Sequence, residues 1–192
     1  MGITTDNFFE NIYSVIFSPK AFFEREDLTV SVRLALATLI LIAVISKIAS
    51  GIFDGSIYNI MFIFSIIWSI ISTIFLWFIT ALFFEYVAKI FDKGGNLQRI
   101  LFYTAFAPIP YIFFAPLNLL KNFTSFGYLL AANIEFLLYL WIIFLYVLAI
   151  RAVYKISLSR SFMLIFLPFI ASFFAIYWII CFCTKLWYIF SI

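Results

Sequence analysis

Few residues of this chain carry chemistry, and the most conspicuous is Glu135, about eight residues into the apolar run GYLLAANIEFLLYLW and shortly after Asn133. A carboxylate in such a run has three readings. It stays charged at a polar boundary, it pairs with a lysine such as Lys47 or Lys121, or it carries a proton or ligand. The second group is Pro108 and Pro110, in FYTAFAPIPYIFFAP. A proline inside a helix lacks the backbone donor and pushes away the carbonyl four residues earlier, so each frees an acceptor that must be satisfied elsewhere. Tyr103 and Thr104 lie within about a turn of that break and offer hydroxyls, and Glu135 is a longer-range candidate. Upstream, Gly94-Gly95 can end one helix with left-handed backbone and Asn96 can cap the next. Ser65, Ser69 and Thr73 recur every four residues, which gives one helix a small, weakly polar face suited to close packing within the chain or against a second copy. Glu85 and Lys89 share a helix face at the same spacing and suit an ion pair.

Other chemistry is excluded by composition. The chain has no histidine, which removes the commonest general base and metal ligand. Its six glycines are not spaced for a phosphate-binding loop or a dinucleotide fingerprint, and there is no G-x-S-x-G elbow. Cys181 and Cys183 lie in an apolar stretch at the wrong spacing for a structural zinc site. Glu24, Glu26 and Asp27 read as a solvated cap before the first long apolar run. No catalytic residue, metal site or cofactor is expected, and the net charge of +3 does not suggest nucleic acid as a partner.

The elements that must position these groups follow from the solvent. The chain is 67% hydrophobic and 11% charged, against about 45–50% and 25% in soluble domains. A chain of 192 residues cannot bury that much apolar surface in its own core, so lipid is the expected solvent. Apolar runs of about 20 residues cross a bilayer as helices because a helix satisfies its own backbone. The expected fold is all-α: a polytopic bundle of five transmembrane helices, residues 28–192, with spans near 30–50, 57–84, 97–120, 127–150 and 161–184. Nine of the twelve Lys and Arg residues fall in the head and in the second-to-third and fourth-to-fifth connections. The positive-inside rule then puts the N-terminus in the cytoplasm and the C-terminus outside.

Residues 1–27 form the head. Phe8, Phe9, Ile12, Tyr13, Val15 and Ile16 fall on one arc of a helix, with Asn7, Glu10, Asn11 and Ser14 opposite, and Ser18-Pro19 reads as the cap and first turn of a second helix. Such a head either lies flat in the cytoplasmic interface or packs on the cytoplasmic ends of the bundle. The acidic N-terminal stretch does not fit a secretory signal, and MGITTD misses the myristoylation pattern.

Taken together, FSPKAFFERE, DKGGN, FYTAFAPIP and LWIIFLYVLAIRAVYKISLSRSF occur in the order found in the Yip family (Ypt-interacting proteins, also the Yip-one domain family). The chain resembles that family over almost its full length, and its short head is most similar to the bacterial branch. The resemblance implies a non-enzymatic membrane protein, multi-pass in a bacterial inner membrane, that organises membrane or partner proteins. Its partners would be membrane lipids and membrane proteins or a second copy. Eukaryotic members are associated with Rab-type small GTPases, but the acidic cytosolic motif of those members is missing here, so that partner is implied by analogy alone. The alternative is a small transporter or channel component with its site at the broken third helix and Glu135, since broken helices often build binding sites at mid-membrane.

Overall fold

The structure is a computed structural model; it describes residues 5–25, 30–53, 55–90 and 96–167, with residues 170, 174, 177 and 178. Apolar sequence is arranged in long helices because a buried or lipid-facing backbone must bond to itself. The head forms α1 (Thr5–Phe17) and α2 (Pro19–Glu24). Then come α3 (Val32–Phe53), a short 3-10 turn at Ser56–Tyr58, and α4 (Met61–Ile90). The third span is divided into α5 (Leu97–Phe106), a 3-10 segment (Ile109–Phe113) and α6 (Phe114–Phe123). Helix α7 (Ser125–Tyr154) follows, and α8 (Leu158–Leu167) opens the fifth apolar run, whose later part lies outside the described residues.

Four of these stretches, Val32–Ile52, Met61–Lys89, Leu97–Lys121 and Ser125–Tyr154, are long and apolar enough to cross a membrane. The molecule is an all-helical, polytopic membrane protein. Helix α4 continues past the expected end near residue 84, because Glu85 stays inside the helix and is buried. With 30 residues, α4 is about 45 Å long, more than the roughly 30 Å hydrocarbon core, so it reaches into the headgroup region.

The third span is the centre of the bundle. Helix α5 packs against α3, α4 and α7, and residues 100–107 are all buried. Two thirds of the span's most apolar stretch is buried (67%), against 11–33% for the other three. It is also the least apolar span, with mean hydropathy 1.6 against 2.2–2.3. Helix α4 turns Phe64, Trp68, Phe75, Leu76 and Tyr86 outward, a surface suited to acyl chains. Two glycines allow close approach. A Cβ on Gly127 would run into the backbone carbonyl of Leu120, where α6 turns into α7, and one on Gly51 would meet the ring of Phe62.

The head is built into the bundle. Phe22 and Phe23 of α2 are buried, with Phe22 against Phe106 and both rings against Tyr103. In α1 the buried residues are Asn11, Ser14 and Val15, while Phe9, Tyr13 and Phe17 are exposed. This corrects the expected division of the helix. Asn11 and Ser14 face inward although they are polar, and Phe9 and Tyr13 of the apolar arc point away from the protein. The head sits between the bundle and its surroundings, so its helix has two apolar faces, and one sequence arc cannot report both. Helix α2 begins at Pro19 as expected, but Ser18 makes no side-chain cap; its hydroxyl instead donates to the Ser14 carbonyl.

Candidate functional site

Five basic side chains converge on a cavity of about 310 Å³ at one end of the bundle. Helix α2 and its following residue supply Lys20, Phe23, Glu24 and Arg25; the first turns of α5 supply Arg99 and Tyr103; the last turns of α7 and its exit supply Leu148, Arg151, Ala152, Lys155 and Ile156. Each piece is held by local chemistry. The Asn96 side chain accepts the Arg99 backbone N–H at 3.1 Å, which fixes where α5 starts and so where Arg99 points. At the far end Lys155 adopts a left-handed conformation (φ 49°, ψ 43°) that terminates α7 at the rim of the cavity. Buried Tyr103 and Phe23 form the floor.

The electrostatics are one-sided. Glu24 is the single acid in the lining. It approaches Arg151 at 3.7 Å, and Arg25 approaches Glu10 at 3.6 Å, with all four side chains 39–61% exposed. Long, exposed pairs of this kind contribute about 0–1 kcal/mol and leave the cations free to reorient. Among the described residues, neither Lys20 nor Arg99 is ion-paired. A concave site with a low-dielectric floor and clustered positive charge concentrates anions. The cluster could have been suspected from the count of bases, but the sequence does not say that Lys20 and Lys155 line one cavity.

Glu135 lies elsewhere. Lys121 Nζ, from α6, is 2.6 Å from its Oε1 and 2.7 Å from its Oε2, a bidentate contact with side chains 27% and 17% exposed. The Asn133 amide bonds the Leu129 carbonyl of its own helix. Pro108 and Pro110 are buried, and the chain between them leaves the α-helix: Pro108 has φ −80° and ψ 5°, and the Tyr111 N–H donates to its carbonyl at 2.9 Å. The hydroxyls expected at the break go elsewhere. Tyr103 donates to the Arg25 carbonyl of the head, 3.2 Å away. Thr104 donates to Ile100 within its own helix at 2.6 Å and receives the Trp77 indole N–H at 3.1 Å. Gly94 and Gly95 lie outside the described residues. Ser65, Ser69 and Thr73 are half-buried, and the Ser65 hydroxyl bonds its own helix at Phe62.

Two features had no counterpart in the sequence reading. Glu85 has a partner 69 residues away, the Tyr154 hydroxyl, which donates to its carboxylate at 2.8 Å and ties α4 to α7. An apolar crevice of about 790 Å³ opens between α4, α7, the 3-10 segment and α8, with Tyr111, Tyr139 and Tyr146 in its wall.

Comparison with known proteins adds one result. The Yip1 domain matches residues 13–179. The chain belongs to the Yip1 domain family. The match spans every residue of the basic cavity, the broken third span and the Lys121–Glu135 pair. No curated protein and no solved structure matches the chain. In this chain the matched region is a helical membrane bundle with Phe22 and Phe23 of the head packed into its core.

Proposed function

We propose that this Yip1 domain protein is a non-enzymatic bundle that organises membrane or partner proteins in a bacterial inner membrane. Its N-terminus and basic end face the cytoplasm. The observation that carries this reading is the filled centre. Ile100, Phe102, Ala105, Phe106 and Ala107, on the broken span just before Pro108, have no exposed surface, which speaks against an open path along it. Glu135 is neutralised by Lys121, and neither the basic cavity nor the apolar crevice is lined by it. The orientation rests on the nine-to-three division of basic residues. Lipids fit the exposed aromatic face of α4, and membrane proteins or a second copy are the further partners.

Reconstitution into sealed vesicles tests the reading. The protein should carry no flux of ions or small solutes, and cross-linking in native membranes should give discrete membrane-protein adducts or homo-oligomers. A solute flux abolished by Glu135→Gln would overturn it in favour of transport. Orientation is tested by cysteine labelling: positions 93 and 157 from the cytoplasm, positions 55 and 125 from outside.

A further inference from the structure

We propose that the basic cavity is a phosphate-binding site for an anionic phospholipid headgroup, shared between the head and the bundle. The cavity has the two chemistries that such a ligand needs. Lys20, Arg25, Arg99, Arg151 and Lys155 supply positive charge from three separate elements, and guanidinium forks match phosphate oxygens in pairs. Phe23, Leu148 and Ile156 give the same cavity an apolar wall, suited to the glycerol backbone and the first methylenes of an acyl chain.

Position supports the lipid over a soluble phosphate. Arg99 lies in the first turn of one span and Arg151 in the last turn of the next, so both stand where a helix leaves hydrocarbon for headgroups. Juxtamembrane Lys and Arg clusters and basic pockets between spans recognise lipid phosphates in this zone. Charge balance agrees. Arg25 and Arg151 face carboxylates only across long, exposed contacts, and among the described residues Lys20 and Arg99 are in no ion pair, so a phosphate reaching these four displaces little on entry. The volume of about 310 Å³ matches a headgroup rather than a whole lipid, so the chains would extend outside the cavity. A phosphate held there would bridge α2 to α5 and α7 and so fasten the head to the bundle.

The test uses full-length protein in nanodiscs, whose two leaflets are equivalent, so the result does not depend on orientation. Association of spin-labelled phosphatidylglycerol is compared with that of spin-labelled phosphatidylcholine, with inorganic phosphate and glycerol 1-phosphate as competitors. Phosphatidylglycerol should be preferred, and Lys20→Gln with Arg99→Gln should reduce the preference on the order of tenfold. Lys47→Gln, outside the cavity, should leave it unchanged. Glu24→Gln removes the single acid of the lining and should strengthen binding several-fold; because that is a gain, misfolding cannot imitate it. Lipid preference without competition by the soluble anions identifies the headgroup. Competition by either anion would overturn the lipid assignment in favour of a soluble phosphate. Equal association of the two lipids with no anion effect, or a double variant and Glu24→Gln that both bind like the wild type, would overturn the proposal.

Discussion

The Tyr103 hydroxyl donates to the backbone carbonyl of Arg25 at 3.2 Å, joining residues 78 apart. One partner belongs to the head, the other to the buried half of the broken span. The same tyrosine ring lies against Phe22 and Phe23, so hydrogen bond and ring contacts together hold α2 in place.

The first prediction separates the inner face of the head from its outer face. Phe22→Ala leaves a cavity beside Phe106 and should cost about 3–5 kcal/mol. Tyr103→Phe removes one hydrogen bond and should cost about 1 kcal/mol. Phe9→Ala changes an exposed residue and should cost little. Limited proteolysis of residues 5–25 should therefore rank Phe22→Ala fastest and Phe9→Ala near the wild type. Equal cleavage of all three would mean that the head is not docked.

The Lys121–Glu135 pair lends itself to a double-mutant cycle. Lys121→Met strands a carboxylate that is 17% exposed. The loss should be about 1–3 kcal/mol, less than for a fully buried pair because some solvent access remains. Adding Glu135→Leu should bring stability back to within about 1 kcal/mol of the wild type, since an apolar pair suits the site. Reversible unfolding in mixed micelles measures both; additive losses would show that the two residues do not act as a pair.

Much of the architecture was legible because each span is an apolar run bounded by polar or glycine-containing turns. Asn96 as a cap and Pro108-Pro110 as a break are local events, and local sequence encodes them. The head was legible only in part. Its helices are local, but Asn11 and Ser14 are buried by contacts with other parts of the chain, which periodicity does not report. The basic cavity draws on residues from Lys20 to Ile156, and the Trp77–Thr104 and Glu85–Tyr154 bonds cross between helices. Such pairings are set by packing angles that no single helix records.

The prolines give a third test. Pro108→Ala with Pro110→Ala restores donors and allows α-helix to propagate through residues 107–113. A continuous α-helix is shorter per residue than the 3-10 segment, so α6 would be drawn along and rotated against α3 and α7. The mismatch should cost about 1–3 kcal/mol, despite the better intrinsic propensity of alanine. A double variant with raised thermal stability would show that the break has no packing function.

Two glycines provide a paired comparison. At Gly127 the obstacle to a methyl group is the Leu120 carbonyl, which moves only with its helix; at Gly51 it is the Phe62 ring, which can turn aside. Gly127→Ala should therefore destabilise by about 1–3 kcal/mol and Gly51→Ala by clearly less. Thermal unfolding of the two variants side by side decides it.

The contrast between the third span and its neighbours bears on how the protein is made. The span with the lowest mean hydropathy, 1.6, is also the most enclosed, at 67%. On leaving the translocation machinery it carries a proline break that acyl chains cannot satisfy, so it gains least from dispersing alone into the bilayer. Helices α3 and α4 precede it in the chain and α7 follows, and all three pack on α5. Biogenesis must hold the segment beside its first two neighbours until the fourth span arrives to enclose it. A nascent chain stalled before residue 125 would keep an unshielded break, which membrane quality control could recognise.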